Sequence, residues 1–390
     1  MRETARPTGG SARGMRNTTA MLDAALHILA ETGWAGLSIT ATAERMGTSI
    51  RPVRSRVPDR GALVATVWRQ RLESDLLEAL TQILAAVSAG DAPAIAQALT
   101  GLRTNDNQHS ALAETLIVAR YDPAVREAVD GSLGEFVRAR TTPRGRVTAP
   151  DAARASYVIQ LGLGLQLASR FPRMQADLSV PLAEVAAALC RDTDPTALPT
   201  LSATHIDEFP VLAPDDPILE EVLRATLTLV SEKGYEGATV VDIAASADVT
   251  EGFVFGRYDS KRALLADALS RQQDAGWALN AAFVESVTAQ TTSGITAAVL
   301  MREILKPGRD LGRDMALELL RLSWHDAAML EETFRSMDAA DTSGGTDPRF
   351  SLDSALDFGT YLLPRLAPAS WTLPMDVVTV PLQLLRDGSA

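Results

Sequence analysis

A single cysteine stands among 390 residues. Cys190 therefore has no partner for an internal disulfide, and a cysteine-rich metal site is excluded. The four histidines, His27, His109, His205 and His325, show no HxxxH or His–carboxylate ligand spacing. No metal and no cofactor is expected. Long apolar runs are missing too. The longest, residues 155–169, lies between Arg154 and Arg170 and holds two glutamines. It is shorter than the roughly 20 residues of a membrane-spanning helix, so it reads as a buried helix and no membrane partner is expected. The opening residues MRETARPTGGSARGMRN have no apolar segment, which argues against a secretory signal. They read as a flexible basic arm over 1–15, and the cytoplasm is the expected location. Neither GxxxxGK followed by Ser or Thr nor a strand-linked GxGxxG occurs. No catalytic motif is recognised, and whether the chain is an enzyme stays open. Positive charge is also scarce: 37 Lys and Arg against 49 Asp and Glu give −12. Such a chain repels DNA unless its cations are concentrated locally.

What the chain does have is a repeat. The segment beginning GYEGATVVDIAASADV at residue 234 has a fainter counterpart, GWAGLSITATAERMGT, beginning at residue 33. At that spacing of 201, Gly33 meets Gly234, Trp34 meets Tyr235, Ala43 meets Ala244, Arg56 meets Arg257 and Leu63 meets Leu264. Further along, with a spacing of 204, Glu114 meets Glu318 and Asp122 meets Asp326. A period near half the chain implies one unit written twice.

The periodicity is helical throughout. Met21, Leu22, Ala25, Leu26 and Leu29 fall on one face, and Gly33 can supply a left-handed stop. The counterpart starts at Asp216-Pro217, a helix-start pair. Within the second copy, Val240, Ile243, Ala244 and Ala247 form the inward face of a short helix. Asp248-Val249 makes a turn, and the Thr250 hydroxyl can cap the next helix. This spacing is that of a helix-turn-helix, whose second helix can enter a DNA major groove.

These residues resemble the DNA-binding head of the tetracycline-repressor (TetR) family. Its pattern is met by Gly234-Tyr235, Thr239-Val240, Ile243-Ala244, Phe255, Tyr258, Lys261 and Leu264. The first copy departs from it: Thr42 replaces the Ile, Arg54 and Val57 the two aromatics, and Arg60 the Lys. The resemblance implies an all-α fold of two TetR-like halves, each a helix-turn-helix head with a helical ligand and dimerisation body. The expected layout is an arm at 1–15, head 1 at 16–60, body 1 at 61–191, a linker at 192–214, head 2 at 215–261 and body 2 at 262–390. The helices near 151–171 and 350–367, each with a mid-helix glycine (Gly162 and Gly359), are expected to pair within one chain. The product would be a monomeric pseudodimer.

Electrically the two copies differ. Residues 16–69 carry seven arginines against four carboxylates, net +3; residues 215–274 carry six cations against twelve carboxylates, net −6. Two function classes therefore stand. One is a ligand-responsive transcriptional regulator, read as a repressor, on an asymmetric double-stranded operator. Its DNA contacts would come from Ser49, Arg51, Arg54, Arg56 and Arg60 in the first half and Thr250, Arg257, Tyr258 and Lys261 in the second. The other is a TetR-fold protein that has lost DNA binding and works as a small-molecule binder or an enzyme. The resemblance also implies an effector cavity in the helical bodies. Trp277, Glu318, Arg321, Trp324 and His325 make the second body the better candidate; the first offers Gln108, His109, Glu114 and Tyr121. Ordinary core packing is the competing reading for both tryptophans.

Overall fold

The computed structural model describes residues 10–104, 106–142, 148–171, 176–191, 210–290, 308–326 and 348–366, with residues 299, 303, 305, 306 and 329. All regular structure among the described residues is helical. None of the described helices is long and apolar enough to cross a membrane.

The stretch expected to form the first head holds α1 (Gly10–Gly36), α2 (Ile39–Arg45) and α3 (Ile50–Arg54). Helix α1 begins inside the expected arm and bends at Gly33, where φ is 65°. Ser38 starts α2 by accepting the Ala41 N–H at 2.9 Å. A side-chain oxygen there satisfies one of the amides that a helix start leaves unpaired. Helix α4 (Arg60–Val67), capped by Asp59, passes through a π turn at Trp68–Leu72 into α5 (Glu73–Ala89). The fully buried Trp68 fills the turn and donates its indole N–H to Ser132 at 2.9 Å. Gly90, at φ 67°, ends α5.

The first body continues with α6 (Ala92–Gly101), α7 (Asn107–Val118), α8 (Pro123–Val129), α9 (Glu135–Thr141), α10 (Ala149–Ala168) and α11 (Ser179–Leu189). Residues 110–118 of α7 are all buried, so this helix runs through the core with no wet face. So does α10 from Ala155 to Ser169, in agreement with a buried helix of a folded body.

The second head consists of α12 (Pro217–Gly237), α13 (Val240–Ser246) and α14 (Glu251–Phe255). Helix α12 starts at the Asp216 cap and bends at Gly234, where φ is 71°. Helices α15 (Lys261–Thr288), α16 (Asp310–Ser323) and α17 (Pro348–Leu366) follow. Most of the 192–214 linker and the segment after α17 lie outside the described residues.

Two cores meet on α16. Leu317 and Leu320 join the first-body core, whereas Met315, Leu319 and Leu322 pack with the second head. Helices α10 and α17 cross at close range. A Cβ on Gly164 would stand 1.6 Å from the Ala355 carbonyl oxygen, and one on Gly359 would stand 1.8 Å from that of Gln160. Only glycine allows backbones this close. The contacts are reciprocal: Gly164 to Gly359 and Gln160 to Ala355 are the same 195 positions apart. Gly162, singled out in the sequence, instead faces Leu80 and Leu102 of its own body. Thr360 completes the crossing by donating to the Gln160 side chain at 3.0 Å.

Candidate nucleic-acid interface and the charge cluster behind it

In the first head, Gly47 (φ 65°) turns the chain between α2 and α3, and Val53 and Val57 anchor α3 to the core. Thr42 is fully buried where the second head has Ile243, yet its hydroxyl donates to the Ser38 carbonyl at 2.8 Å. The polar substitution therefore leaves no hydrogen bond unmade. Ser49, Arg51 and Arg54 are exposed, and neither Arg51 nor Arg54 forms an ion pair among the described residues. Arg56 differs: it donates to Thr18 at 3.1 Å and to the Pro52 carbonyl at 2.6 Å, tying α3 to α1. Arg60 donates to the Trp34 carbonyl at 3.1 Å and stacks 3.7 Å above the Trp34 ring. Arg51 and Arg54 are thus free to meet phosphate or base edges, while Arg56 and Arg60 hold the head together.

In the second head, Asp248 makes the turn with φ 54°, a left-handed conformation that Asp tolerates better than most residues. Thr250 caps α14 by accepting the Phe253 N–H at 3.2 Å. Arg257 lies over Phe253 and reaches Asp216 at 3.4 Å. The Tyr258 hydroxyl donates to Asp267 at 2.6 Å; burial, followed by that bond, pushes its pKa well up. Lys261 donates to the carbonyls of Tyr235 and Ala238 at 2.7 and 2.9 Å. All four residues expected to touch DNA here have intramolecular partners. The exposed face of α13 and α14 also carries Val241, Glu251 and Phe255.

Behind the heads sits a buried ionic cluster. Glu114 accepts the Trp34 N–H at 2.6 Å and Arg321 at 3.1 Å, with His325 Nε2 3.5 Å from its other oxygen. Glu318 accepts the Tyr235 N–H at 2.8 Å, Arg321 at 2.7 Å and Arg120 at 2.8 Å. Arg321 also reaches Glu236 at 2.7 Å, and Arg120 the Asp314 carbonyl at 2.8 Å. Burial alone would raise the Glu114 pKa, but Arg321, His325 and the Trp34 amide outweigh it and hold the carboxyl at about 2. Glu318 is also lowered against its burial, chiefly by Arg321 and then Arg120. Burial would lower the Arg321 pKa, but the carboxylates around it raise it well above its ordinary value.

The cluster treats the two heads alike. In each, a carboxylate from the body receives the amide just after the kink glycine, and the cation that opens the helix after the helix-turn-helix caps that residue's carbonyl. Each glycine is also closed over from the opposite half. A Cβ on Gly33 would lie 2.6 Å from His325 Nε2, and one on Gly234 2.6 Å from the Tyr121 ring. Tyr121 and His325 are themselves 204 positions apart.

The residues expected to bind a ligand therefore have other surroundings. Glu318, Arg321, His325 and Tyr121 belong to the cluster. Trp324 lies 4.8 Å beneath the Arg170 guanidinium, and the Trp277 side chain falls outside the described residues. Tyr121, Glu318, Arg321, Trp324 and His325 are not among the residues that line the cavity of the first body. A cavity of about 630 Å³ opens instead in the first body, between α5, α6, α7 and α10. Gln108 and His109 line it, as does Gln166, which sequence reasoning passed over as one polar residue in an apolar run. Among the described residues, no three His, Cys, Asp or Glu side chains are grouped to hold a metal.

No curated protein matches the chain. Residues 222–268, from α12 into α15, match the family of bacterial regulatory proteins, tetR family. The matched stretch contains the whole second helix-turn-helix, and it supports membership of the TetR family of DNA-binding transcriptional regulators.

Proposed function

We propose that this chain is a ligand-responsive repressor acting as a single-chain pseudodimer: two TetR-like halves fused in tandem and divided as the sequence suggests. The observation that carries the proposal is the repeated anchor. Glu114 with Trp34 and Glu318 with Tyr235 make the same amide contact at near-constant spacing, and the reciprocal crossing of Gly164 and Gly359 supplies the pairing surface. The operator is asymmetric because the heads are. Arg51 and Arg54 bring the first head its phosphate and base contacts, with Ser49 beside them. Thr250 and Arg257 make the thinner contact of the second, while Tyr258 and Lys261 hold it in shape. Phosphate contacts dominate affinity, so the first head carries most of it. An effector in a helical body acts by binding one spacing of the heads more tightly than another. As a regulator of cellular DNA, the protein works in the cytoplasm.

A mobility-shift titration on the DNA upstream of its own locus tests this, with light scattering in parallel. A monomer that binds with a steep salt dependence supports the reading. A stable dimer through α10 and α17 removes the pseudodimer. The second reading, a TetR fold serving as a small-molecule binder or enzyme, is favoured by the acidic second head. No retardation at low salt, with or without effector, selects it.

A further inference from the structure

The cavity of the first body has an uneven lining. Leu72, Leu76, Leu102 and Leu112 give it apolar walls, and no lysine or arginine lines it. Its polar groups are the amides of Gln82, Gln97, Gln108 and Gln166, the His109 ring and the Asp75 carboxylate. Gln166 is completely buried, and its Nε2 donates to the His109 carbonyl at 3.2 Å. A carbonyl can only accept, so this bond fixes which way round the amide lies. The Gln166 Oε1 is left buried with no hydrogen-bond partner. A buried acceptor left unmade costs about 1–3 kcal/mol, and a native protein seldom leaves one without a purpose. At the exposed edge, Asp75 accepts from Gln108 and Ser74 but forms no ion pair among the described residues. The amide end of α7 nearby is already capped by Asp106, which also holds the His109 ring at 2.8 Å.

We infer that this cavity takes an amphipathic organic ammonium: an apolar body against the leucines, N–H donors for the side-chain amides of the lining, and a positive charge compensated by Asp75. A carboxylate or phosphate ligand meets no cation and an unpaired negative charge, and is rejected. The inference rests on the effector reading above and names the class of that effector and the half that holds it.

The probes are 4-phenylbutylamine and 4-phenylbutyrate, which share a carbon frame and differ in charge. Isothermal calorimetry on the full chain near neutral pH is expected to show the amine binding at least tenfold more tightly. Asp75→Asn, at an exposed position that leaves the fold intact, weakens the amine about fivefold to tenfold and narrows its advantage. Gln166→Leu, checked for native helicity by circular dichroism, weakens the amine further. Equal or tighter binding of the butyrate overturns the inference. So does failure of either probe to bind at millimolar concentration, or an amine affinity unmoved by Asp75→Asn. A separate arm adds the amine to the operator complex. Binding that obeys these rules without loosening DNA sustains the assigned ligand class and removes only the effector reading.

Discussion

The two heads share an anchoring scheme and differ in surface chemistry. Behind each, a buried glutamate holds the amide after a kink glycine, and a cation three helices further on closes on the same aromatic residue. In front, the first head offers Arg51 and Arg54 on an otherwise uncharged α3, whereas the second offers Glu251, Phe255 and an arginine already drawn toward Asp216. Behind the two heads the contacts are thus of like chemistry, with Arg60 and Trp34 in one and Lys261 and Tyr235 in the other, whereas the outward surfaces differ in the sign of their charge. Buried polar groups that lose a partner incur a large penalty, whereas a solvated side chain can change at little cost.

That comparison can be broken first at the glutamates. Glu318→Gln is expected to cost about 4 kcal/mol in urea denaturation, because it leaves two buried guanidiniums short of a counter-charge. Glu114→Gln should cost about 1 kcal/mol less, having one guanidinium and a histidine to satisfy. Equal losses would mean that the halves share the cluster evenly. Acid sharpens the same point. The Glu114 pKa falls from an ordinary 4.5 to about 2 on folding. Its stabilisation, on the order of 3 kcal/mol, is therefore complete above pH 4.5 and lost as the pH falls toward 2. A Glu114→Gln variant should show a flatter stability profile across that window. Next in size, Gly164→Ala and Gly359→Ala should each cost about 3 kcal/mol, because the new methyl meets a backbone carbonyl that cannot turn aside. Gly162→Ala meets only the ends of leucine side chains and should cost about 1 kcal/mol. Unequal effects of Gly164 and Gly359 would show that the crossing is not balanced. The last comparison concerns DNA. Arg51→Ala with Arg54→Ala should weaken operator binding about thirtyfold and flatten its salt dependence by about two phosphates. Arg257→Ala should weaken it less than threefold; if the order reverses, the second head is the one that grips DNA.

Local rules made much of the fold legible. Asp59, Asp216 and Thr250 all start helices as their side chains suggest, and Gly33 and Gly234 both break their helices at positive φ, though with ψ near 180° and not at the left-handed helical value expected of a stop. The helix-turn-helix was readable because its turn, cap and inward face lie within twenty residues. The cluster was not, because Arg321 meets Glu114 across 207 residues and sequence spacing carries no trace of that meeting. Ionisable residues on an amphipathic helix look the same whether they line a cavity or a seam between halves. For that reason Glu318, Arg321 and His325 suggested a ligand. Gln166 escaped notice for the opposite reason: its apolar neighbours suggested only core. In the first head, Thr42 suggested erosion, yet a hydroxyl bonded one turn back leaves the helix intact.

The crossing of α10 and α17 joins two segments of one polypeptide. Their encounter is set by the length of the intervening chain and not by how many molecules share the solution. On the pseudodimer reading, dilution cannot separate the two heads. Operator occupancy would then follow a simple one-site isotherm down to the lowest expression levels, where a two-subunit repressor would fall apart and release its DNA.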